Sequence, residues 1–153
     1  MKKNAMNKLL ALLLALVMVL SLAACGSKGQ DNGDAGADAG TVTDGTVADG
    51  AVIGEGKTAF TVEVAQLDGT SITFTVNTDK ATVGEALLEL GVVAGDDTEY
   101  GLYVKTVNGV TLDYDADGAY WAFYINGEYA ATGVDSTNIE AGAVYALKAE
   151  KAA

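Results

Sequence analysis

The residue types that usually carry enzyme chemistry are almost absent from this sequence of 153 residues. It contains no histidine and no arginine, and Cys25 is its single cysteine. Histidine is the usual general base near neutral pH, and histidine and cysteine are the main ligands of zinc, iron and copper. Neither Ser–His–Asp nor Cys–His catalysis can be assembled. We therefore expect a protein that is not an enzyme; a glycosidase-like pair of carboxylates is the remaining enzymatic alternative.

One acidic segment has the spacing of a cation site. Asp113, Asp115 and Asp117 are followed by Gly118, which matches the first half of an EF-hand loop. The bidentate acid of that loop would fall at Tyr124, which cannot serve as a ligand. We predict no metal site, with a surface calcium site at Asp113, Asp115 and Asp117 as the weaker alternative to an acidic turn.

The aromatic residues suit a different task, the binding of a flat ligand. Alternation along a strand at 120–126 puts Tyr120, Tyr124 and Asn126 on one face and Trp121, Phe123 and Ile125 on the other. We expect the second face to be core and the first to be an exposed aromatic surface. The candidate ligand-binding residues are Tyr103, Tyr120, Trp121, Tyr124, Asn126 and Tyr129.

Each of these residues also has a purely structural interpretation. Trp121 has apolar neighbours and is more often a buried anchor than a ligand contact. Asn126 precedes Gly127 and suits the positive-φ position of a type I′ turn. Tyrosines on the outer face of a strand also stabilise sheets through cross-strand pairs.

The elements that would position these residues are hairpins, a helix and a final strand. Alternating residues on either side of Asp68–Gly69 predict the first hairpin, and Asn108–Gly109 and Asn126–Gly127 mark further tight turns. Thr82 and Glu85 form a capping box for a short helix that Gly91 ends. The fold class is therefore α+β: a mainly antiparallel sheet with one short helix packed across it, in a β-grasp-like arrangement.

The N-terminal residues predict export and a lipid anchor. Lysines precede an uncharged, Leu-rich run over 9–24, which is too short to span a membrane comfortably. The run ends in Leu22-Ala23-Ala24-Cys25-Gly26, which resembles the lipobox of bacterial lipoproteins. The resemblance implies diacylglyceryl modification of Cys25 and anchoring at the extracellular face of the cell membrane, since two acyl chains anchor stably. The alternative is an ordinary signal peptide with an incidental cysteine.

The predicted organisation has three parts. Residues 1–24 are the lipoprotein signal peptide, residues 25–55 are a flexible acidic Gly/Asp/Ala tether that begins at the lipidated Cys25, and residues 56–153 are the binding domain. The formal net charge of −12 disfavours nucleic acid as a partner, because phosphate backbones would be repelled. The lipid is then the expected link to the membrane.

Several motifs of the domain resemble the DUF4430 family. They are the capped helix from Thr82 to Leu87, the hairpin at Val107-Asn108-Gly109-Val110, the segment Tyr120-Trp121 to Asn126-Gly127-Glu128, and Gly133-Val134. This family is similar to the C-terminal β-domain of transcobalamin and intrinsic factor. The family often has Gly-Asp at the last turn, where this chain has Ala141-Gly142-Ala143.

The resemblance implies binding and not catalysis. In transcobalamin-type proteins the β-domain covers one face of a corrinoid and a separate helical domain covers the other. We therefore expect a cell-surface lipoprotein that binds a small ligand, with cobalamin or another corrinoid as the possible ligand and a transporter subunit of vitamin uptake as the possible partner. The alternative is a structural or adhesive surface module that binds protein or glycan through its tyrosine-rich face.

Overall fold

The computed structural model describes residues 42–153, so the predicted signal peptide, Cys25 and the first part of the predicted tether lie outside the described residues. The strands are β1 Val52–Ile53, β2 Thr58–Ala65, β3 Ser71–Thr78, β4 Val93–Thr98, β5 Gly101–Val107, β6 Val110–Thr111, β7 Ala119–Ile125, β8 Glu128–Tyr129 and β9 Val144–Lys151. The helices are α1 Val83–Glu89, α2 Tyr114–Asp117 and a 3-10 helix at Val134–Ser136.

The larger sheet has the strand order β1-β3-β2-β9-β7-β8. Its hairpin β2–β3 and the pairs β7–β9 and β7–β8 are antiparallel, whereas β2 lies parallel to β9 and β1 parallel to β3. The first long strand and the last strand are thus parallel neighbours at the centre, as in a β-grasp sheet. The predicted α+β class, mainly antiparallel with a short helix, is confirmed.

A second, three-stranded antiparallel sheet has the order β4-β5-β6. Strand β4 was not predicted, because only Val93 of its residues is buried and no alternation marks it in the sequence. A bulge lies between Ala94 and Gly95, where a Cβ on Gly95 would collide with the carbonyl oxygen of Tyr103. Glycine therefore permits the close approach of β4 and β5.

The single core lies between the two sheets and α1. Alternation along β2 buries Phe60, Val62 and Val64, as the sequence predicts. Helix α1 buries Val83, Ala86 and Leu87, and its capping box is formed as predicted: Thr82 Oγ1 accepts from the Glu85 amide, and the Glu85 carboxylate accepts from the Thr82 amide. Burial of each large apolar side chain contributes about 1.5–3 kcal/mol.

Residues 42–55, which were assigned to the tether, pack against the domain. Ile53 is fully buried in the core and Val47 is nearly so. The side-chain amide of Asn108 binds both backbone groups of Val47. Its Oδ1 accepts from the Val47 N–H at 2.6 Å, and its Nδ2 donates to the Val47 carbonyl oxygen at 3.4 Å. The predicted domain start at residue 56 is therefore too late, because two apolar residues within a Gly- and Asp-rich stretch carry the packing.

The segment after β6 forms a helical turn. Strand β6 ends at Thr111, and the chain then turns into α2. The cause is Asp113, whose Oδ1 accepts from the amides of Asp115 and Ala116 and so starts a helical turn. Within residues 42–153, the helices are all too short or too polar to cross a membrane.

Candidate functional site

The most prominent feature near the predicted site is the link that Trp121 makes between the two sheets. Its side chain is 7 % exposed and points from β7 toward the core. Its Nε1 donates to the carbonyl oxygen of Lys105 on β5, at 3.1 Å. A buried indole needs such an acceptor, and here the acceptor fixes β5 beside β7.

A cleft of about 180 Å³ lies between β5 and β7, next to this link. Four aromatic residues line it: Tyr103 from the small sheet, Trp121 and Phe123 from β7, and Tyr129 from β8. Its other lining residues are aliphatic or small: Leu102, Val104, Ala130, Thr132, Gly133, Val134 and Leu147. We call it the aromatic cleft. Its lining side chains are mainly aromatic or aliphatic, its exposed surface is divided about equally between polar and apolar atoms, and its two walls come from different sheets.

A wider, open concavity of about 740 Å³ adjoins the aromatic cleft on the β4–β5 hairpin. Residues 97–103 line this hairpin concavity, and Leu102 and Tyr103 belong to both depressions. Tyr100 projects from the tip and is 91 % exposed. Thr98 orders the turn, because its hydroxyl donates to the Gly101 carbonyl and accepts from the Tyr100 amide. The hairpin therefore presents an exposed aromatic ring beside the cleft.

Lys105 supplies the positive charge nearest to Tyr103. Its Nζ lies 2.6 Å from Asp96 Oδ2 and 5.9 Å from the centre of the Tyr103 ring. The hydrogen bond to Asp96, and then the charge of that carboxylate, raise the pKa of Lys105 above its usual value. The ammonium group is therefore already paired, and the cleft wall carries no free cation from Lys105.

Tyr120 and Tyr124 lie on the outer face of β7, away from the aromatic cleft. Both hydroxyls donate to Glu150 on β9, Tyr120 at 3.2 Å and Tyr124 at 2.5 Å. This hydrogen bond is the largest cause that raises the pKa of Tyr124 to about 12. Desolvation, and then the hydrogen bond to Glu150, raise the pKa of Tyr120. The two phenols are thus held in place and protonated at neutral pH.

These two rings are the centre of a tyrosine row, formed by Tyr114, Tyr120, Tyr124 and Tyr129. The ring centres of Tyr114 and Tyr120 are 6.3 Å apart, and those of Tyr124 and Tyr129 are 5.4 Å apart in an edge-to-face pair. Such pairs stabilise the outer face of a sheet. Tyr129 belongs both to this row and to the lining of the aromatic cleft.

Asn126 has a turn role in the structure. Its φ is +50° and that of Gly127 is +87°, as a type I′ turn requires. Its Oδ1 accepts from the Val144 amide at 2.9 Å, which ties the turn to the start of β9. Of the six predicted ligand-binding residues, the structure therefore brings Tyr103, Trp121 and Tyr129 together in the cleft and places Tyr120, Tyr124 and Asn126 elsewhere.

The three aspartates of the EF-hand-like segment do not converge. Asp113 Oδ1 caps α2, and Asp117 Oδ2 accepts from the Asp113 amide at 2.8 Å. The backbone amides of Ala116 and Asp115 lower the pKa of Asp113. In the part of the chain that the structure describes, no cluster of three or more His, Cys, Asp or Glu side chains is arranged to hold a metal ion.

Sequence reasoning missed the part of the cleft that depends on the small sheet. Leu102, Val104 and Val134 line it, yet the position of β5 beside β7 follows from a contact between residues far apart in the chain. The sequence did contain one signal for the cleft: Phe123 shares a strand face with Trp121. That face was expected to be core, and in the structure both aromatic residues are buried and also line the aromatic cleft.

Comparisons with known proteins found a family match and similar solved structures. Residues 80–148 match DUF4430, a domain of unknown function. A crystal structure of a candidate metal-binding protein from Ruminococcus gnavus ATCC 29149 is 31 % identical, with a TM-score of 0.60 over 63 % of this chain and all of that chain. Haptocorrin in complex with Cbi is 16 % identical, with a TM-score of 0.48 over 63 % of this chain and 25 % of that chain. No curated protein matches the sequence.

Proposed function

Because the chain belongs to the DUF4430 family, and two sheets of its domain meet in an aromatic cleft, we propose that it is a non-enzymatic binding protein that takes a small ligand into this cleft. The single observation that carries the proposal is the convergence of Tyr103, Trp121, Phe123 and Tyr129, from two sheets, on one slot. Apolar and aromatic walls with few polar groups are typical of small-molecule sites.

The size of the cleft supports a ligand that is only partly covered. Sites that enclose a drug-sized molecule usually measure about 300–1,000 Å³. The aromatic cleft has about 180 Å³, and the adjoining hairpin concavity is open. A broad ligand would therefore lie across the cleft and hairpin with one face exposed to solvent or to a second protein, such as a transporter subunit.

A corrinoid is the ligand class that we propose. A corrin is broad and largely uncharged, so that it can lie on aromatic rings and does not need a cationic clamp. The sequence has no arginine, and Lys105, next to Tyr103, is paired with Asp96. Both features favour an uncharged ligand over a phosphate or carboxylate.

The test is a titration of the full-length protein in detergent micelles with cyanocobalamin. Trp121 is the only tryptophan and lines the cleft, so its fluorescence reports on occupancy. We expect saturable quenching, and we expect Tyr103→Ala and Tyr129→Ala to weaken it. Tyr114→Ala is the matched control, because Tyr114 is 52 % exposed and lies outside both depressions. No quenching up to high micromolar cyanocobalamin would contradict a stand-alone corrinoid site.

We also propose that the protein is anchored at the outer face of the cell membrane by lipid on Cys25. The support is the Leu-Ala-Ala-Cys-Gly sequence at 22–26 after an apolar run. Replacing Cys25 with Ser is expected to move the protein from the membrane pellet to the soluble fraction. Retention of Cys25→Ser in the pellet would count against a lipid anchor.

The tyrosine row supports a second candidate function, adhesion to a glycan. Tyr114 and Tyr129 are exposed, and the hydrogen bonds to Glu150 fix Tyr120 and Tyr124 between them. A fixed row of rings edged by polar groups suits the stacking of sugars. Binding to polysaccharides that is lost in Tyr114→Ala, in a protein that does not respond to cyanocobalamin, would favour this function.

A further inference from the structure

Strand β5 is paired on one side along its length but on the other side only at its end. Strand β4 covers the first side, with one bulge. On the second side β6 pairs only with Thr106 and Val107, and the Leu112 amide adds a hydrogen bond to the Lys105 carbonyl oxygen. Within residues 42–153, no strand pairs with residues 102–104 on this second side. We call this stretch the open edge.

The backbone amides of Leu102 and Val104 point toward the open edge. A trans peptide unit directs its C=O and its N–H to opposite sides. The Tyr103 carbonyl oxygen faces β4, where a Cβ on Gly95 would collide with it, so the Val104 N–H faces away from β4. The Gly101 carbonyl oxygen accepts from a threonine hydroxyl of β4, so the Leu102 N–H also faces away from β4. Neither amide has a hydrogen-bond partner among the described residues.

The open edge lies at the aromatic cleft. Leu102 and Val104 both line the cleft, and both are half-buried. The Lys105 carbonyl oxygen, on the same side of β5, accepts from Trp121 Nε1 at 3.1 Å, so this side of β5 faces β7. Proteins normally cover or blunt such edges, because free N–H and C=O groups recruit other strands. Here the free groups border a slot with room beside them.

The surroundings of the open edge are acidic. Asp97 and Glu99 line the hairpin concavity that adjoins the aromatic cleft, and neither belongs to the described ion pairs. Lys105 is paired with Asp96, and the lining of the two depressions includes no lysine. A second copy of this chain, with its formal charge of −12, would be repelled, whereas a positively charged segment would be attracted.

We propose that the open edge of β5 is a docking site for an extended, positively charged segment of a partner protein, which adds to the small sheet as a further strand. In such strand addition, backbone hydrogen bonds supply the affinity and alternate side chains supply the specificity. Leu102 and Val104 offer their N–H and C=O groups, and alternate side chains of the partner enter the aromatic cleft. This goes beyond the small-ligand function, because a docked strand and a ligand would compete for the same slot.

The first test is hydrogen exchange in the ligand-free, full-length protein. Exchange should be fast at the amides of Leu102 and Val104, which face the open edge. It should be slower at the amide of Tyr103, which pairs with Asp96 of β4. Slow exchange at Leu102 and Val104 would show that another part of the protein already covers this edge, and would overturn the proposal.

The second test is an NMR titration with the acetylated and amidated peptide Lys-Val-Thr-Val-Lys. We expect saturable shifts of the Leu102 and Val104 amide signals and slower exchange of both amides. A peptide methylated at its three central nitrogens keeps the side chains and charges but loses the donors, and should bind about two- to tenfold more weakly for each lost hydrogen bond. A peptide with Glu at both ends should also bind more weakly.

Three results of this titration would contradict the proposal. Equal binding of the methylated peptide would exclude strand addition. Equal binding of the Glu-flanked peptide would exclude a preference for a positively charged partner. The absence of any shift at Leu102 and Val104 up to millimolar peptide would exclude the docking site itself.

Two variants at one position give the matched test on the protein. Val104→Pro removes the free N–H without breaking a ladder hydrogen bond, since proline is tolerated where the N–H of an edge strand is unpaired. Val104→Thr keeps the N–H and the β-branched shape. Peptide binding should weaken in Val104→Pro and persist in Val104→Thr; equal binding by both would overturn backbone pairing. None of these measurements uses a corrinoid, so their outcome is independent of the cyanocobalamin titration.

Discussion

At the residue scale, Glu150 determines how the outer face of β7 behaves. One carboxylate accepts hydrogen bonds from two phenols, so that Tyr120 and Tyr124 are not free to turn toward a ligand. The sequence predicts which face these tyrosines share, but Glu150 is distant in the chain and reaches them only through the pairing of β7 with β9. The structural role of their hydroxyls therefore could not be predicted from the strand pattern.

Replacing Glu150 with Gln is expected to lower the pKa of Tyr124 from about 12 toward 10.0. The folded state retains the proton that the unfolded chain loses, so this tyrosine stabilises the fold fully below pH 10, and the contribution is lost as the pH rises toward 12. The measurement is the pH titration of tyrosinate absorbance. Glu140→Gln, outside the tyrosine row, should leave the titration unchanged. An identical curve for Glu150→Gln would argue against the hydrogen bond as the cause.

At the element scale, local signals predicted most of the structure. Asp68–Gly69, Asn108–Gly109 and Asn126–Gly127 each lie in a turn, and the capping box starts α1 where expected. Elements without a local signal were missed. Strand β1 has two residues in a low-complexity segment, and it exists because Ile53 reaches the core and pairs beside Val76. Tertiary packing, and not propensity, creates such a strand.

The attachment of this N-terminal segment depends on the Asn108 side chain. We expect Asn108→Gly to keep the positive φ of the turn but to lose both hydrogen bonds to Val47. The expected cost is about 0.5–1.5 kcal/mol per hydrogen bond. Hydrogen exchange of the amides from Val47 to Ile53 should become faster.

Asn126→Gly is the comparison variant for that measurement. It changes the same position of another Asn–Gly turn, whose side chain bonds to Val144 and not to the N-terminal segment. Exchange over 47–53 should stay slow in Asn126→Gly. Similar acceleration in both variants would indicate general destabilisation and would contradict a specific attachment by Asn108.

At the scale of the whole molecule, the two-sheet arrangement is what local patterns could not predict. The sequence indicates the fold class, but the order β3-β2-β9-β7 joins strands that are far apart in the chain. The aromatic cleft depends on that order, because the strand that supplies one of its walls, β7, lies beside β9 in the larger sheet and contacts β5 of the smaller sheet. Trp121 is an example of what the strand pattern leaves open. It both anchors β5 to β7 and lines the cleft, and this combination is visible only in the folded structure.

The charge of the whole chain predicts a dependence on salt. With 21 acidic and nine basic residues, repulsion between carboxylates opposes the compact state. Raising NaCl from about 0.01 M to about 0.15 M shortens the screening length from about 30 Å to about 8 Å. The thermal midpoint should therefore rise with salt at neutral pH.

The control for this prediction is the same series near the isoelectric point of about 4.1, where the net charge vanishes and the salt effect should largely disappear. A midpoint that falls with salt at neutral pH would mean that attractive ion pairs such as Lys105–Asp96 outweigh the repulsion.

The parallel pairing of β2 with β9 has a mechanical consequence. Thr61–Ala65 lie in register with Val144–Lys148, so the chain enters the sheet at one end of this pair and leaves it at the other. A force that pulls residue 57 and the C-terminus apart loads these backbone hydrogen bonds in shear, and they must rupture together and not one after another. In an optical-tweezer experiment the domain should resist until it yields in a single high-force step; gradual unzipping at low force would show that the load takes another path.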